Sequence, residues 1–300
     1  MHILITGGTG FVGRKLVQTL QLGGHEVTVF SRYPETVASR VNPQCRGIGE
    51  LAPQRLHKHL DAVINLAGEP IADKRWSDKR KALLLDSRID LTRSLVSFLA
   101  QLQHRPKVLV SASAVGYYGN QQDNTVTEAT APHNEFTHQL CAAWEMEARK
   151  AEAHGIRVAI ARIGLVVGQG GFLAKMLPAF RLGLGGKLGD GRHYMPWIHL
   201  DDLVRVFERL LVDATCTGVY NAVSPAPVTN EVFTKTLGRI LHRPTWFSVP
   251  AFVLQAALGE MAQLLLTGQK VLPERLQQEL HFTYNYPNLE QALSATLKRA

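Results

Sequence analysis

Cysteine is scarce: Cys45, Cys141 and Cys216 are scattered through 300 residues, odd in number and without metal-type spacing. A disulfide framework is therefore excluded, no zinc signature is present, and a reducing compartment is the expectation. Long apolar runs are lacking as well. No window approaches the roughly 18 uninterrupted apolar residues of a membrane span. The chain opens directly on the strand-like MHILIT, without a basic n-region followed by a cleavage site. A cytoplasmic protein with no membrane partner is expected. A contiguous basic footprint is also missing. Lys+Arg of 33 against Asp+Glu of 25 gives a net charge of +8, but the basic residues are dispersed. Even KRWSDKRK (74–81) is broken by Trp, Ser and Asp, and it reads as a solvated helical face. Nucleic acid is not expected as a partner; the surplus suits attraction of a phosphorylated small molecule.

What the chain does have is a core-forming composition, 45% hydrophobic and 19% charged, arranged in alternating patterns. HILIT (2–6), HEVTVF (25–30), DAVINLA (61–67), KVLVSAS (107–113) and IRVAIARIG (156–164) read as strands. Helix-compatible stretches lie between them at 11–24, from after residue 67 to about 103, and at 140–154. This alternation predicts an α/β fold, a Rossmann-type doubly wound parallel sheet over residues 1–164. After residue 164 the pattern changes. GLVVGQGGF (164–172) and RLGLGGKLGDGRHYMPW (181–197) have the composition of loops, TGVYNAVSP (217–225) resumes a strand that could rejoin the sheet, and 230–243 reads as a helix. The tail from Pro250 has three helix-compatible stretches broken by Pro273 and Pro287. A smaller, mostly helical C-terminal substrate lobe over 165–300 is expected, packed against the first because no linker separates them.

The glycines after the first strand carry the first functional signal. Gly7, Thr9, Gly10, Phe11, Val12 and Gly13 contain both G-x-x-G-x-x-G and, counting Gly8, G-x-G-x-x-G. Alone the pattern is weak, but here a strand precedes it, a helix follows, and the next strand comes about 20 residues on. Missing side chains let backbone N–H groups approach a pyrophosphate at the positive end of the helix. The residues after the second strand choose the dinucleotide: an acid there would bind the ribose hydroxyl of NAD, whereas arginine suits a 2′-phosphate. Ser31-Arg32 stands there, with no carboxylate until Glu35. NADP(H) is the expected cofactor, Arg32 pairing with the phosphate and Ser31 donating a further bond; a merely solvated Arg32 is the alternative.

Together, TGGTGFVG (6–13), DAVINLAG (61–68), SASAVGYYG (111–119), ARIGLVVG (161–168) and PWIHLDDL (196–203) resemble the extended short-chain dehydrogenase/reductase superfamily, in its NAD(P)-dependent epimerase/dehydratase group. GEPIADKRW (68–76), FRLGLGGKLGDGRHYMPWIH (180–199) and LLLTGQKVLPERL (264–276) are similar to an atypical branch, the YfcH-type epimerase family proteins, so the resemblance spans nearly the whole chain. It implies that Leu66 and Ala67 lie against the adenosine side, that Gly68 permits close backbone approach, that Arg88 lies near the phosphates and that Val166 approaches the nicotinamide. Gly68 also has a local turn explanation, and Arg88 could instead pair on the surface with Asp86 or Asp90.

The resemblance further implies a Ser and a Y-x-x-x-K pair: a tyrosine that exchanges a proton, and a lysine that assists it and holds the nicotinamide ribose. A free phenol, with a pKa of about 10, needs such help to act as a base near neutrality. Ser113 fits the serine, with Ser111 as its neighbour. With Glu145 placed on the family's helix glutamate, however, Thr137 falls at the tyrosine position and Cys141 at the lysine position, and neither supplies that chemistry. Cys141 as a nucleophile competes with a small apolar helix residue. Tyr117, ahead of Tyr118, is the candidate acid/base, with an aromatic wall as the other reading. His199, His138 and Glu135 are further polar candidates, and Asp201 reads as a helix cap. Arg181 and Arg192, with Lys187, could clamp a phosphorylated or carboxylated substrate, a sugar nucleotide among them, or could simply be solvated. The leading expectation is an NADP(H)-dependent oxidoreductase or epimerase lacking the usual Tyr-Lys pair. Its rival is a nonenzymatic NADP(H)-binding protein that controls a partner.

Overall fold

A computed structural model of the chain describes residues 1–298. Its main sheet comprises β1 (His2–Thr6), β2 (Glu26–Phe30), β3 (Arg46–Ile48), β4 (Ala62–Asn65), β5 (Val108–Ala114), β6 (Arg157–Ile163) and β7 (Gly218–Ala222). All seven are parallel, in the order β3-β2-β1-β4-β5-β6-β7. The helices of eight or more residues are α1 (Phe11–Leu22), α2 (Asp78–Gln101), α3 (Phe136–Arg149), α4 (Gly171–Arg181), α5 (Leu200–Val212), α6 (Asn230–Ile240), α7 (Ala251–Leu258) and α8 (Leu289–Lys298).

The strands read as near-continuous apolar runs because both faces of the sheet are covered. Period-two alternation sends Ile3, Ile5, Ile64 and Val110 to one core with Leu16 and Val17 of α1 and Leu203 and Phe207 of α5. It sends Leu4, Val63, Leu109 and Val158 to the other, with Leu95 and Leu99 of α2 and Ala148 of α3. The expected strand at 217–225 does rejoin the sheet, as β7 beside β6. Strand order reverses at β1, whose neighbours are β2 and β4. A crevice therefore opens beyond the carboxyl ends of β1 and β4, the usual ligand position in such sheets.

The glycine-rich stretches expected as loops prove partly regular. Residues 165–167 pair in parallel with 197–199, residues 186–188 pair with 247–249, and α4 starts at Gly171. Composition misled because the glycines serve the turns while apolar residues between them pack: Gly183 and Gly189, with φ of +75° and +58°, flank the 186–188 strand. Val167, Leu173, Phe180 and Trp197 then share a core with Phe233 of α6 and Leu293 of α8. A second correction concerns Asp201. The cap of α5 is His199, whose Nδ1 accepts from the Asp201 N–H at 3.1 Å, while the Asp201 carboxylate lies 3.3 Å from Lys15 of α1. Here an imidazole nitrogen accepts the bond that an Asp or Ser oxygen usually accepts at this position.

Candidate cofactor and active site

The turn after β1 is built for close approach. Gly7 has φ of +71°, and a Cβ there would lie 2.9 Å from the backbone of Leu66 and Ala67. A Cβ on Gly13 would lie 2.2 Å from the Gly7 carbonyl oxygen. The first turn of α1 thus packs directly on the loop, leaving Thr9 and Gly10 at its accessible rim. The cradle is one that side chains would fill, and it fits a dinucleotide pyrophosphate. Beneath it, Thr6 Oγ1 donates to Asn65 Oδ1 at 2.6 Å and accepts from the Ala67 N–H at 3.2 Å. Asn65 in turn donates to Thr92 at 2.9 Å. These bonds tie the ends of β1 and β4 to α2.

Other expected residues converge on the same edge. Val12, Leu66 and Val166 are partly buried and pack on one core cluster. Val166 lies beside Ile198 in the short parallel pair. The Phe11 ring sits under the second glycine loop, where a Cβ on Gly170 would come within 2.5 Å of it. Arg32 follows β2 with its side chain 82% exposed; among the described residues it pairs with Glu69 alone, at 3.8 Å. Ser31 Oγ accepts from the Tyr33 N–H at 3.1 Å, which leaves its own proton to donate.

Arg88 matches neither of its expected surface pairs. It is largely buried, donates to the carbonyls of Leu84 at 3.1 Å and Glu69 at 2.9 Å, and lies 5.2 Å from the Trp144 ring centroid. Burial lowers its pKa from the ordinary guanidinium value. Gly68 provides its seat, since a Cβ there would lie 2.8 Å from Arg88 Cζ. Arg88 therefore fixes the Gly68–Glu69 segment beside the crevice.

At the carboxyl end of β5, Ser113 Oγ donates to Glu145 Oε1 at 2.7 Å. Glu145 also accepts two 2.8 Å bonds from Arg162 of β6, and the three side chains are buried. The Arg162 guanidinium stacks 3.3 Å from the Tyr117 ring centroid and 4.9 Å from that of Tyr118. The two tyrosines then part ways. Tyr118 is fully buried, donates to Asn221 Oδ1 at 2.7 Å, and has its phenol pushed up to about 12 by burial. Tyr117 is partly exposed, and its hydroxyl makes no hydrogen bond among the described residues. Its carbonyl accepts from His138 at 2.7 Å, so His138 serves as a brace. Ser111 accepts from Asn65 at 3.4 Å and donates to the Ala112 carbonyl at 3.3 Å, a role internal to the sheet.

Thr137, at the expected tyrosine position, packs against Gly116, with its Cβ 3.2 Å from where a Gly116 Cβ would be. Cys141, at the lysine position, is buried and its thiol is raised to about 11, by burial first and then by the Glu145 charge. Burial and a raised thiol both suit packing rather than nucleophilic attack. Glu135 accepts from the Asn120 N–H at 3.1 Å. Arg181 and Arg192 are exposed at the end of α4 and in the turn after residue 188. Neither makes an ion pair among the described residues, and no hydrogen bond joins them to Ser113 or to the glycine turn.

The residues that sequence reasoning missed as a functional set are Arg162 and Glu145. The signal was present: an arginine within a central apolar strand demands a buried partner. Glu69, shared between Arg32 and the buried Arg80 at 3.5 Å, carried no comparable signal.

A glycine cradle at the switch point of a doubly wound sheet, with polar groups at the end of the fifth strand, defines a dinucleotide-binding protein of the short-chain dehydrogenase/reductase type. More narrowly, the chain belongs to the NAD dependent epimerase/dehydratase family, whose model matches residues 3–222. A domain of unknown function, DUF1731, matches residues 249–296. Among relatives, the epimerase family protein YfhF of Bacillus subtilis is 38% identical over 296 residues, covering 98% of this chain and 97% of its own length. The chloroplastic epimerase family protein SDR39U1 homolog of Arabidopsis thaliana is 40% identical, covering 99% of this chain and 87% of that protein. Among solved structures, the human epimerase family protein SDR39U1 with NADPH is 35% identical, covers 100% of both chains and superposes with a TM-score of 0.90. No helix among the described residues is long and apolar enough to cross a membrane.

Proposed function

We propose that this protein is an NADP(H)-dependent oxidoreductase or epimerase in which Tyr117, rather than a tyrosine of Y-x-x-x-K, exchanges the substrate proton. The observation that carries the cofactor assignment is Arg32, which is 82% exposed and loosely paired, and follows β2 where a 2′-phosphate needs a cation. The NADPH of the human relative supports it. Gly7, Thr9, Gly10 and Gly13 hold the pyrophosphate, Leu66, Ala67 and Gly68 border the adenosine side, and Phe11, Val12 and Val166 wall the site toward the nicotinamide. Arg88 acts by fixing the Gly68–Glu69 segment. When bound, the nicotinamide supplies or removes a hydride.

Tyr117 is favoured as the proton-transfer group because its hydroxyl is accessible while that of Tyr118 is spent on Asn221. Arg162 against its ring supplies a fixed positive charge near a developing phenolate, the electrostatic part of what the absent lysine would do. Ser113 positions the set through Glu145, and its oxygen lone pairs are left for a substrate hydroxyl. The substrate is a small molecule between the sheet edge and the lobe after residue 164. A phosphorylated compound or sugar nucleotide suits the exposed, unpaired Arg181 and Arg192. The three buried free thiols support a reducing, cytoplasmic setting. A second reading, cofactor binding without turnover, is favoured by the commitment of the Ser113 proton to Glu145.

Two measurements test this. Titration of NADPH and NADH into wild type and Arg32→Ala should show a preference for NADPH that the substitution removes, at a cost of about 10- to 100-fold in affinity for one lost charged interaction. Unchanged NADPH affinity overturns the phosphate assignment. NADPH oxidation should then be followed with aldehydes, ketones and sugar nucleotides. Tyr117→Phe should lower kcat by about 100-fold or more with NADPH affinity retained. Tight NADPH binding with no turnover across these classes selects the second reading.

A further inference from the structure

We propose a divalent-metal site, suited to Zn²⁺, at the amino-terminal edge of the sheet, formed by His2, Glu26 and His57. One ligand atom from each lies within 4.8 Å of the others. The three residues are far apart in sequence and are brought together by topology. His2 and Glu26 are register partners at the starts of β1 and β2, and His57 reaches over from the segment that leads into β4. The edge is opposite the cofactor crevice, because all seven strands are parallel.

The chemistry of each donor fits. His2 Nδ1 lies 3.0 Å from the His59 carbonyl, which can only accept, so Nδ1 carries the proton. The lone pair is therefore on Nε2, which now accepts from Thr28 Oγ1 at 2.8 Å. A histidine oriented by a carbonyl through its other nitrogen is the usual arrangement around a bound metal. His57 Nε2 is hydrogen-bonded to Glu26 Oε1; Zn²⁺ would take the place of the proton between them, which moves to His57 Nδ1 as the neutral ring changes tautomer, leaving the Nε2 lone pair and the carboxylate as ligands. Both side chains are partly open, at 38% and 42% exposure, so a cation can enter. Two imidazoles, one carboxylate and a water make a four-coordinate site with ligand distances of about 2.0–2.2 Å.

Lys58 opposes it. Its ammonium pairs with the other Glu26 oxygen and would repel the incoming cation. That opposition gives the site a distinguishing behaviour: loss of His57 weakens binding, whereas loss of the Lys58 charge strengthens it. Incidental binding to scattered surface histidines has no such dependence. When occupied, the site would pin β1, β2 and the 53–60 segment together and stabilise the sheet without touching the cofactor.

The experiment is calorimetric titration of ZnCl₂ into the full chain bearing no histidine tag, with Co²⁺ visible absorption as a second readout of coordination. One Zn²⁺ per chain is expected, with a raised Tm and unchanged NADPH affinity. Affinity should fall by about tenfold or more in His57→Ala, as on loss of a ligand or its orienting partner, and rise in Lys58→Gln. The substituted positions are exposed, and circular dichroism in EDTA verifies that both variants fold. Absence of saturable binding, or binding that His57→Ala and Glu26→Gln leave unchanged, overturns the proposal.

Discussion

Glu145 on α3 holds Arg162 on β6 through both carboxylate oxygens, with Nε to Oε1 and Nη2 to Oε2 each 2.8 Å, between side chains 5% and 4% exposed. Burial alone would lower the Arg162 pKa. The hydrogen bonds and charge of Glu145 outweigh it and hold the guanidinium above its ordinary value. Arg162 is thus a permanent cation. It can stabilise charge against the face of Tyr117, but unlike a lysine it cannot pass a proton onward. In the function proposed above, proton transfer would fall to the phenol and whatever solvent reaches it, while Arg162 and Glu145 would set position and field.

Removal of one partner should expose the cost of that arrangement. Glu145→Gln leaves a buried guanidinium with no compensating charge and is expected to cost about 3–5 kcal/mol, the range for breaking a buried pair from one side. Urea unfolding followed by both fluorescence and circular dichroism measures it. A loss under about 1 kcal/mol would mean that water or Ser113 compensates, and the pair would no longer explain the geometry of the site.

Gly13→Ala tests the cradle from its most crowded point. The added methyl would sit 2.2 Å from the Gly7 carbonyl, which is backbone and cannot swing aside. The α1 helix must shift outward, at an expected cost of about 1–3 kcal/mol and with a marked loss of dinucleotide affinity. Thermal denaturation with and without NADPH separates the two effects. Wild-type stabilisation by NADPH in the variant would show that the pyrophosphate does not use this turn.

The sequence made the cradle and sheet legible because their signals are local: glycines at fixed offsets, and strands whose apolar runs reflect two covered faces. For Val166 and Leu66 only the resemblance points to a cofactor; in the structure both pack, with Val12, against the same core cluster. The ion pair between Arg162 and Glu145 was not read out, because its partners are 17 residues apart on different element types. Helical spacing leaves Arg88 open as ligand or surface pair and does not reveal that Gly68 leaves a slot that draws the guanidinium inward onto carbonyls. The 165–167 and 186–188 strands were hidden by their neighbouring glycines.

Alkylation should settle the standing of Cys141. Burial raises the thiols of Cys45 and Cys141 to about 11 and also raises that of Cys216. At pH 8 a thiol of that kind is about one part in a thousand thiolate, and the thiolate is the reacting form. Iodoacetamide should therefore leave the folded protein unmodified over a period in which the urea-unfolded chain takes three adducts, read by intact mass. A rapid single adduct at Cys141 in the folded protein would restore it as a nucleophile.

His193 predicts how the fold responds to acid. Burial lowers its pKa below the ordinary imidazole value, and the charge of Asp190 only partly opposes this. The unfolded chain then binds the proton more readily than the folded one, so protonation favours unfolding. The contribution is fully present above the unfolded value of about 6.5 and is lost as pH falls through it toward the folded pKa. Urea midpoints measured from neutral pH downward should decline across that window, and His193→Gln should flatten the decline relative to wild type. An identical pH profile in the two proteins would show that the ring is solvated where it sits, and would remove His193 as a source of acid sensitivity.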